Sequence, residues 1–157
     1  MLVVLLIPAA VLAFEQSVNR GSERQSPKAS SQAEALFQNA LLLSDREEHE
    51  SARLQLQQAM RLWVGAREPG TAAQAALQMG DRSKQARKYQ EALSYYEMAL
   101  DVKSLPGVVR ANALNAIALT YTELYLHDIA ERYFNRALDQ ARIVNDLPAQ
   151  TLALTGL

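Results

Sequence analysis

From Gln32 to Leu157, small and large apolar residues return at fixed intervals, with polar residues between them. An alanine, a large residue four positions on and an alanine three further occur at Ala52–Leu56–Ala59, Ala92–Tyr96–Ala99 and Ala130–Phe134–Ala137. The copies start 40 residues apart (52 to 92) and then 38 (92 to 130). Offsets of three and four place each trio on one helical face. Recurrence at this period marks a tandem array of one supersecondary unit. Upstream of each trio a second set repeats: small residues at Ala40, Gly80 and Ala118, and others at Leu36, Ala76 and Leu114 and at Asn39, Met79 and Ile117, with Asn39 the exception. Small residues let neighbouring helices approach, and the large residue fills the groove left between them.

The breakers divide this pattern into helix pairs. The expected helices are 32–44 with 47–64, 71–84 with 88–103, and 108–124 with 127–144, and a last one begins near Pro148. Within a pair the turn is short, and Ser44 and Asp45 are suited to cap the second helix of the first pair. Longer connections are expected between pairs, at Arg67–Gly70, Leu105–Gly107 and Asn145–Pro148, because proline cannot continue a helix but can start one. Such short helices are marginal alone, so stacking must stabilise them neighbour by neighbour. The final helix starts a fourth unit, and Leu147, Leu152, Leu154 and Leu157 are expected to be partly uncovered there.

Residues 1–14 are apolar throughout, too short a run for a membrane helix of about 20 residues. With Pro8 as breaker and Val11-Leu12-Ala13 as a candidate cleavage site, the run resembles the apolar part of a signal peptide. It lacks a preceding Lys or Arg, and Arg20, Arg24 and Lys28 follow it. That leaves three alternatives: signal peptide, membrane anchor, or the remnant of a longer leader. The first two imply an exported or membrane-tethered protein. Residues 15–31 are Ser-rich and polar with Gly and Pro, the composition of a flexible linker, and 32–157 is the repeat domain.

Composition narrows the partners. A net charge of −1 with no basic stripe excludes the clustered Lys/Arg that nucleic acid requires. Cysteine is absent, which removes disulfides and thiolate metal sites without fixing a compartment. The two histidines, His49 and His127, each lie three residues before a fixed alanine, where the second unit has Tyr89. A flat, partly polar ring at a helix–helix contact accounts for all three. The acids of Asp45–Glu50 fall in a first helical turn, where the macrodipole favours them. There is no phosphate loop, zincin pair or nucleophile elbow, so a non-catalytic chain without metal or cofactor is expected. The tyrosines, concentrated in the second and third units, are expected mainly to pack, and some to anchor a partner.

Met79-Gly80 followed by Tyr89, Ala92, Tyr96 and Ala99-Leu100, and Ile117-Ala118-x-x-Tyr121 followed by Ala130, Phe134 and Ala137-Leu138, resemble the pattern of tetratricopeptide repeat (TPR) proteins. The resemblance covers about 33–157, as repeats 33–66, 73–106 and 111–144 with a partial 149–157. The first repeat matches only at Ala40, Ala52, Leu56 and Ala59. The spacing exceeds the family's usual period of about 34. Longer units of this kind resemble those of bacterial sensory and scaffold proteins, including arrays that precede caspase-like CHAT domains.

The resemblance implies an all-α TPR-like solenoid of three helix pairs and an unfinished fourth. It also implies a protein or peptide partner on the concave face of the first helices. The matching positions are Phe37 and Leu41 with Glu34, then Gln74, Leu77, Asp81 and Lys84 with Gln85, then Asn112, Asn115, Leu119 and Thr122 with Glu123. Lys84 is the one cation of this set, so clamping of a C-terminal carboxylate is not expected. Two functions follow: a scaffold that holds a protein partner, or the regulatory region of a larger enzyme or signalling protein, for example a CHAT-type protease, whose active domain lies beyond Leu157. Self-association through the C-terminal end is a further expectation.

Overall fold

The computed structural model describes the backbone from Ala9 to Leu157 and side chains from Pro27 onward. Those residues form seven helices: α1 (Ala9–Asp45), α2 (His49–Gly65), α3 (Pro69–Gln85), α4 (Tyr89–Leu100), α5 (Gly107–Glu123), α6 (His127–Ile143) and α7 (Leu147–Gly156). There is no strand among them. The first eight residues of the apolar 1–14 segment, and all of its side chains, lie outside the described residues. Among the described residues no helix is long and apolar enough to cross a membrane.

The helices pack most extensively in the pairs α1·α2, α3·α4 and α5·α6, with lesser contacts between consecutive pairs, and α3 also meets α5 as α5 meets α7. This all-helical arrangement is compatible with a helical repeat. Its buried residues form successive clusters rather than one centre. One spans α1 to α4, with Phe37, Leu56, Trp63 and Tyr95 among its members. A second joins Leu93 and Tyr96 to Ile117, and a third joins Leu114, Phe134 and Leu138 to Ala153.

The alanine trios lie in these clusters. Ala52, Leu56, Ala59, Ala92, Tyr96, Ala99 and Ala137 are fully buried, and Ala130 and Phe134 nearly so. The odd-numbered helices carry the same spacing at Ala33–Phe37–Ala40, Ala73–Leu77–Gly80 and Ala111–Asn115–Ala118, so both helices of a pair present a small-large-small stripe. At two glycines the approach is too close for a side chain. A Cβ added at Gly80 would collide with the Tyr96 ring, and one at Gly156 with the Phe134 ring. Each fully buried large side chain contributes about 1.5–3 kcal/mol.

The connections differ from the expectation of alternating short turns and longer joints. Five of the six span three residues, 46–48, 66–68, 86–88, 124–126 and 144–146, between pairs as well as within them. The middle residue of each is left-handed: Glu47, Arg67, Arg87, Tyr125 and Asn145 have φ of 63°, 65°, 61°, 60° and 54°. The following amide returns to a carbonyl in the last helical turn, as in Glu68 N to Trp63 O at 2.8 Å and Leu126 N to Tyr121 O at 2.9 Å. This is the Schellman closure, and in four of the five turns neither Gly nor Asn occupies the left-handed position, so the sequence gives little warning of it. Pro69 stands at the first position of α3, which it can do without losing a helical hydrogen bond.

Two further differences have local causes. Helix α4 stops at Leu100, short of 103, and residues 101–106 form the one longer connection. Pro106 disfavours a helical conformation at Leu105, and Val102 and Leu105 turn into the core instead, 7% and 8% exposed. Helix α1 runs through residues 15–31, where composition suggested a linker, with Pro27 inside it. Beyond Pro27 it is tied down: Ser30 Oγ donates a 2.5 Å hydrogen bond to Glu68 Oε1 at the start of α3, and Ala33 is fully buried. Tertiary contact overrides composition there.

Candidate partner-binding face

Residues 74, 77, 81 and 84 of α3, and 112, 115, 119 and 122 of α5, are spaced to share one stripe on each helix. Helices α3 and α5 also contact one another. Gln74, Asp81, Asn112 and Thr122 are exposed, while Leu77, Lys84 and Leu119 are half-buried. Each stripe therefore has polar ends around one partly covered leucine. On α1, Leu41 is half-buried, and the Arg82 guanidinium meets the Asp45 carboxylate across the step from α1 to α3.

Two of the expected contact residues are committed inward. Phe37 is 6% exposed and meets Trp63 edge-on, centroids 5.9 Å apart at 64°. Asn115 is 1% exposed, and its Nδ2 donates a 3.0 Å hydrogen bond to the Ala149 carbonyl of α7. Their spacing was that of a surface stripe, but the neighbouring helix covers the inner edge of that stripe. Asp81 is shared: one carboxylate oxygen accepts a 2.7 Å hydrogen bond from the Tyr96 hydroxyl. Burial, followed by that hydrogen bond to Asp81, pushes the Tyr96 phenol well above its ordinary range, so the hydroxyl remains a neutral donor.

The tyrosines divide by position. Tyr95 and Tyr96 are buried. Tyr121 and Tyr133 are half-buried and stack at 5.5 Å, with Arg136 over the Tyr133 ring at 5.0 Å. Tyr125 is 84% exposed.

A polar seam not foreseen in the sequence joins the first two helix pairs. His49, at the start of α2, lies between Lys88 and Glu91 at the start of α4. Lys88 Nζ donates to His49 Nε2 at 3.1 Å, so a neutral ring carries its proton on Nδ1. That atom stands 3.2 Å from Glu91 Oε1, off the line of a good hydrogen bond, and neither atom has another hydrogen-bond partner. Lys88 also reaches Glu47 at 3.6 Å. A cleft of about 520 Å³ opens here, lined by Ser44, Asp45, Arg82, His49, Lys88 and Glu91. The repeat offers one signal for it: His49 and Tyr89 are equivalent, and in the fold His49 meets Lys88 and Glu91, the chain neighbours of Tyr89. His127, exposed on α6, instead meets Tyr125 edge-on at 6.4 Å. Among the described residues no three His, Asp or Glu side chains converge as a metal site. The seam alternates charge and joins the first two helix pairs.

No protein-family model matches the chain, and no curated protein matches it either.

Proposed function

We propose that the chain is a TPR-type binding module that holds an extended or helical peptide of a protein partner across α3 and α5. The supporting observation is the mixed surface of these neighbouring helices: exposed Gln74, Asn112 and Thr122 around half-buried Leu77 and Leu119. Polar groups of this kind can bond a peptide backbone, and the leucines can receive apolar side chains. The alanine stripes hold the helices that carry this surface, so a partner meets a face already formed. Phe37 and Asn115 are buried and take no part in it, and Asp81 is partly engaged by Tyr96.

Selection of peptides from a random display library on the full chain tests this. The variant Gln74→Ala, Asn112→Ala, Thr122→Ala should lose selected peptides by about tenfold or more, the scale of one or two lost contacts. The back-face variant Glu131→Ala, Arg132→Ala should retain them. Equal losses from both variants would refute the proposed face.

A further inference from the structure

Helix α4 ends early, and a cavity opens beside its end. Helices α2 and α6 each span 17 residues, and α4 spans 12. Residues 101–103 leave the helix and, with Met98, line a cavity of about 440 Å³ against the second half of α2. Its apolar lining is Met60 and Val64 from α2, with Met98 and Val102 from the other side. Met60 and Val102 are buried members of the core, Met98 is half-buried against it, and Val64 is 38% exposed. Arg61 and Lys103 are exposed at the same cavity. Among the described residues neither cation is in an ion pair. Asp101 is the third charged group there.

The repeat does not call for this lining. The alanine trios align Val64 with Ser104, and Met98 and Val102 with Arg136 and Gln140. Met60 alone is answered by a large apolar residue, Leu100. Arg61 and Lys103 align with Asp101 and Ala141. Apolar walls and cations thus coincide at this place and not at the equivalent positions of the next unit, whereas packing between units asks for the same residue types at each. Two cations and one carboxylate leave one net positive charge beside an apolar floor. That matches a monoanion with an apolar body, because a second negative charge would meet Asp101. The volume and the mostly apolar lining are those of a small-molecule site, and methionines adapt to varied shapes. We propose that this cavity binds a small monocarboxylic acid, its apolar part against Met60, Val64, Met98 and Val102 and its carboxylate at Arg61 and Lys103. No residue of α3 or α5 lines the cavity, so the site does not depend on the proposed peptide face.

Decanoate is the probe, with decanol and decyltrimethylammonium as its neutral and cationic counterparts of the same chain length. In the full chain with isotope-labelled methionine methyl groups, decanoate should shift the Met60 and Met98 resonances saturably. Met79, fully buried on α3, should stay in place. Arg61→Gln with Lys103→Gln should weaken decanoate binding by about tenfold at unchanged helicity, and should not weaken that of decanol. Arg132→Gln with Arg142→Gln, on α6, should bind decanoate as the parent does. Val64→Trp, which places a larger side chain in the cavity, should weaken both ligands. The proposal is overturned if Met60 and Met98 show no saturable shift, if Met79 moves with them, if decyltrimethylammonium binds as tightly as decanoate, or if the Arg61/Lys103 variant binds decanoate as tightly as the parent.

Discussion

The Tyr96 ring of α4 lies against Gly80 of α3, so close that a Cβ at residue 80 would overlap it. The hydroxyl of the same tyrosine reaches Asp81, the next residue, at 2.7 Å. One buried side chain thus sets both the separation of the pair and a carboxylate at the candidate binding face. Gly80→Ala should force the ring aside and destabilise the chain by about 1–3 kcal/mol, the usual overpacking range. Gly65→Ala, at a helical position whose Cβ would meet nothing within 4 Å, should stabilise by up to about 1 kcal/mol. Thermal melts followed by circular dichroism would register the opposite signs.

Asn115 should prove structural. Asn115→Ala removes the buried hydrogen bond from Nδ2 to Ala149 O that ties α5 to α7, an expected cost of about 0.5–1.5 kcal/mol. The loss should concentrate in α7, whose amides should exchange with deuterium faster than those of α3. An α7 as protected as in the parent chain would contradict the role assigned to this bond.

Tyr125 holds a left-handed backbone, φ 60°, while its side chain is mostly in solvent. Left-handed geometry costs a residue with a Cβ roughly 1–2 kcal/mol, and glycine avoids that cost. Tyr125→Gly should therefore raise the melting temperature despite deleting a large side chain. The same change at Tyr95, 1% exposed, should lower it severely.

The helix boundaries were largely legible because prolines and alanines mark them: 127–144 was expected and His127–Ile143 is found, and 108–124 became Gly107–Glu123. The turns were not, because Glu47, Arg67, Arg87 and Tyr125 occupy a conformation that sequence signals reserve for Gly or Asn. The stripe on α3 and α5 was legible as a spacing but not in depth. Asn115 and Asn112 are three residues apart on one helix, yet α7 covers the first and leaves the second in solvent. The His49 seam was hidden because Lys88 and Glu91 lie 39 and 42 residues away (88 − 49 and 91 − 49) and become neighbours only when pairs stack.

Stability should fall in alkali. Burial, followed by the charge of Glu91, pushes the Tyr95 phenol from its ordinary 10.0 up to about 12, and Tyr96 moves the same way. The unfolded chain releases these protons near pH 10 while the folded chain keeps them. Their contribution is therefore intact below about pH 10 and is lost progressively between about 10 and 12. Melting temperatures from about pH 8 to about 11.5 should decline across the upper part of this range, and Tyr95→Phe should make the decline shallower. An equal decline in both chains would contradict this origin.

The central claim, that α3 and α5 together hold a peptide, is most directly tested by where a bound peptide can be trapped. A photoactivatable benzophenone side chain placed singly at Asn112, Gln74 or Glu131 in the full chain, with one library-selected peptide bound, reports proximity at each position. The account predicts adducts from 112 and 74 and none from 131, on α6. Adducts from 131 with none from 112 would contradict it.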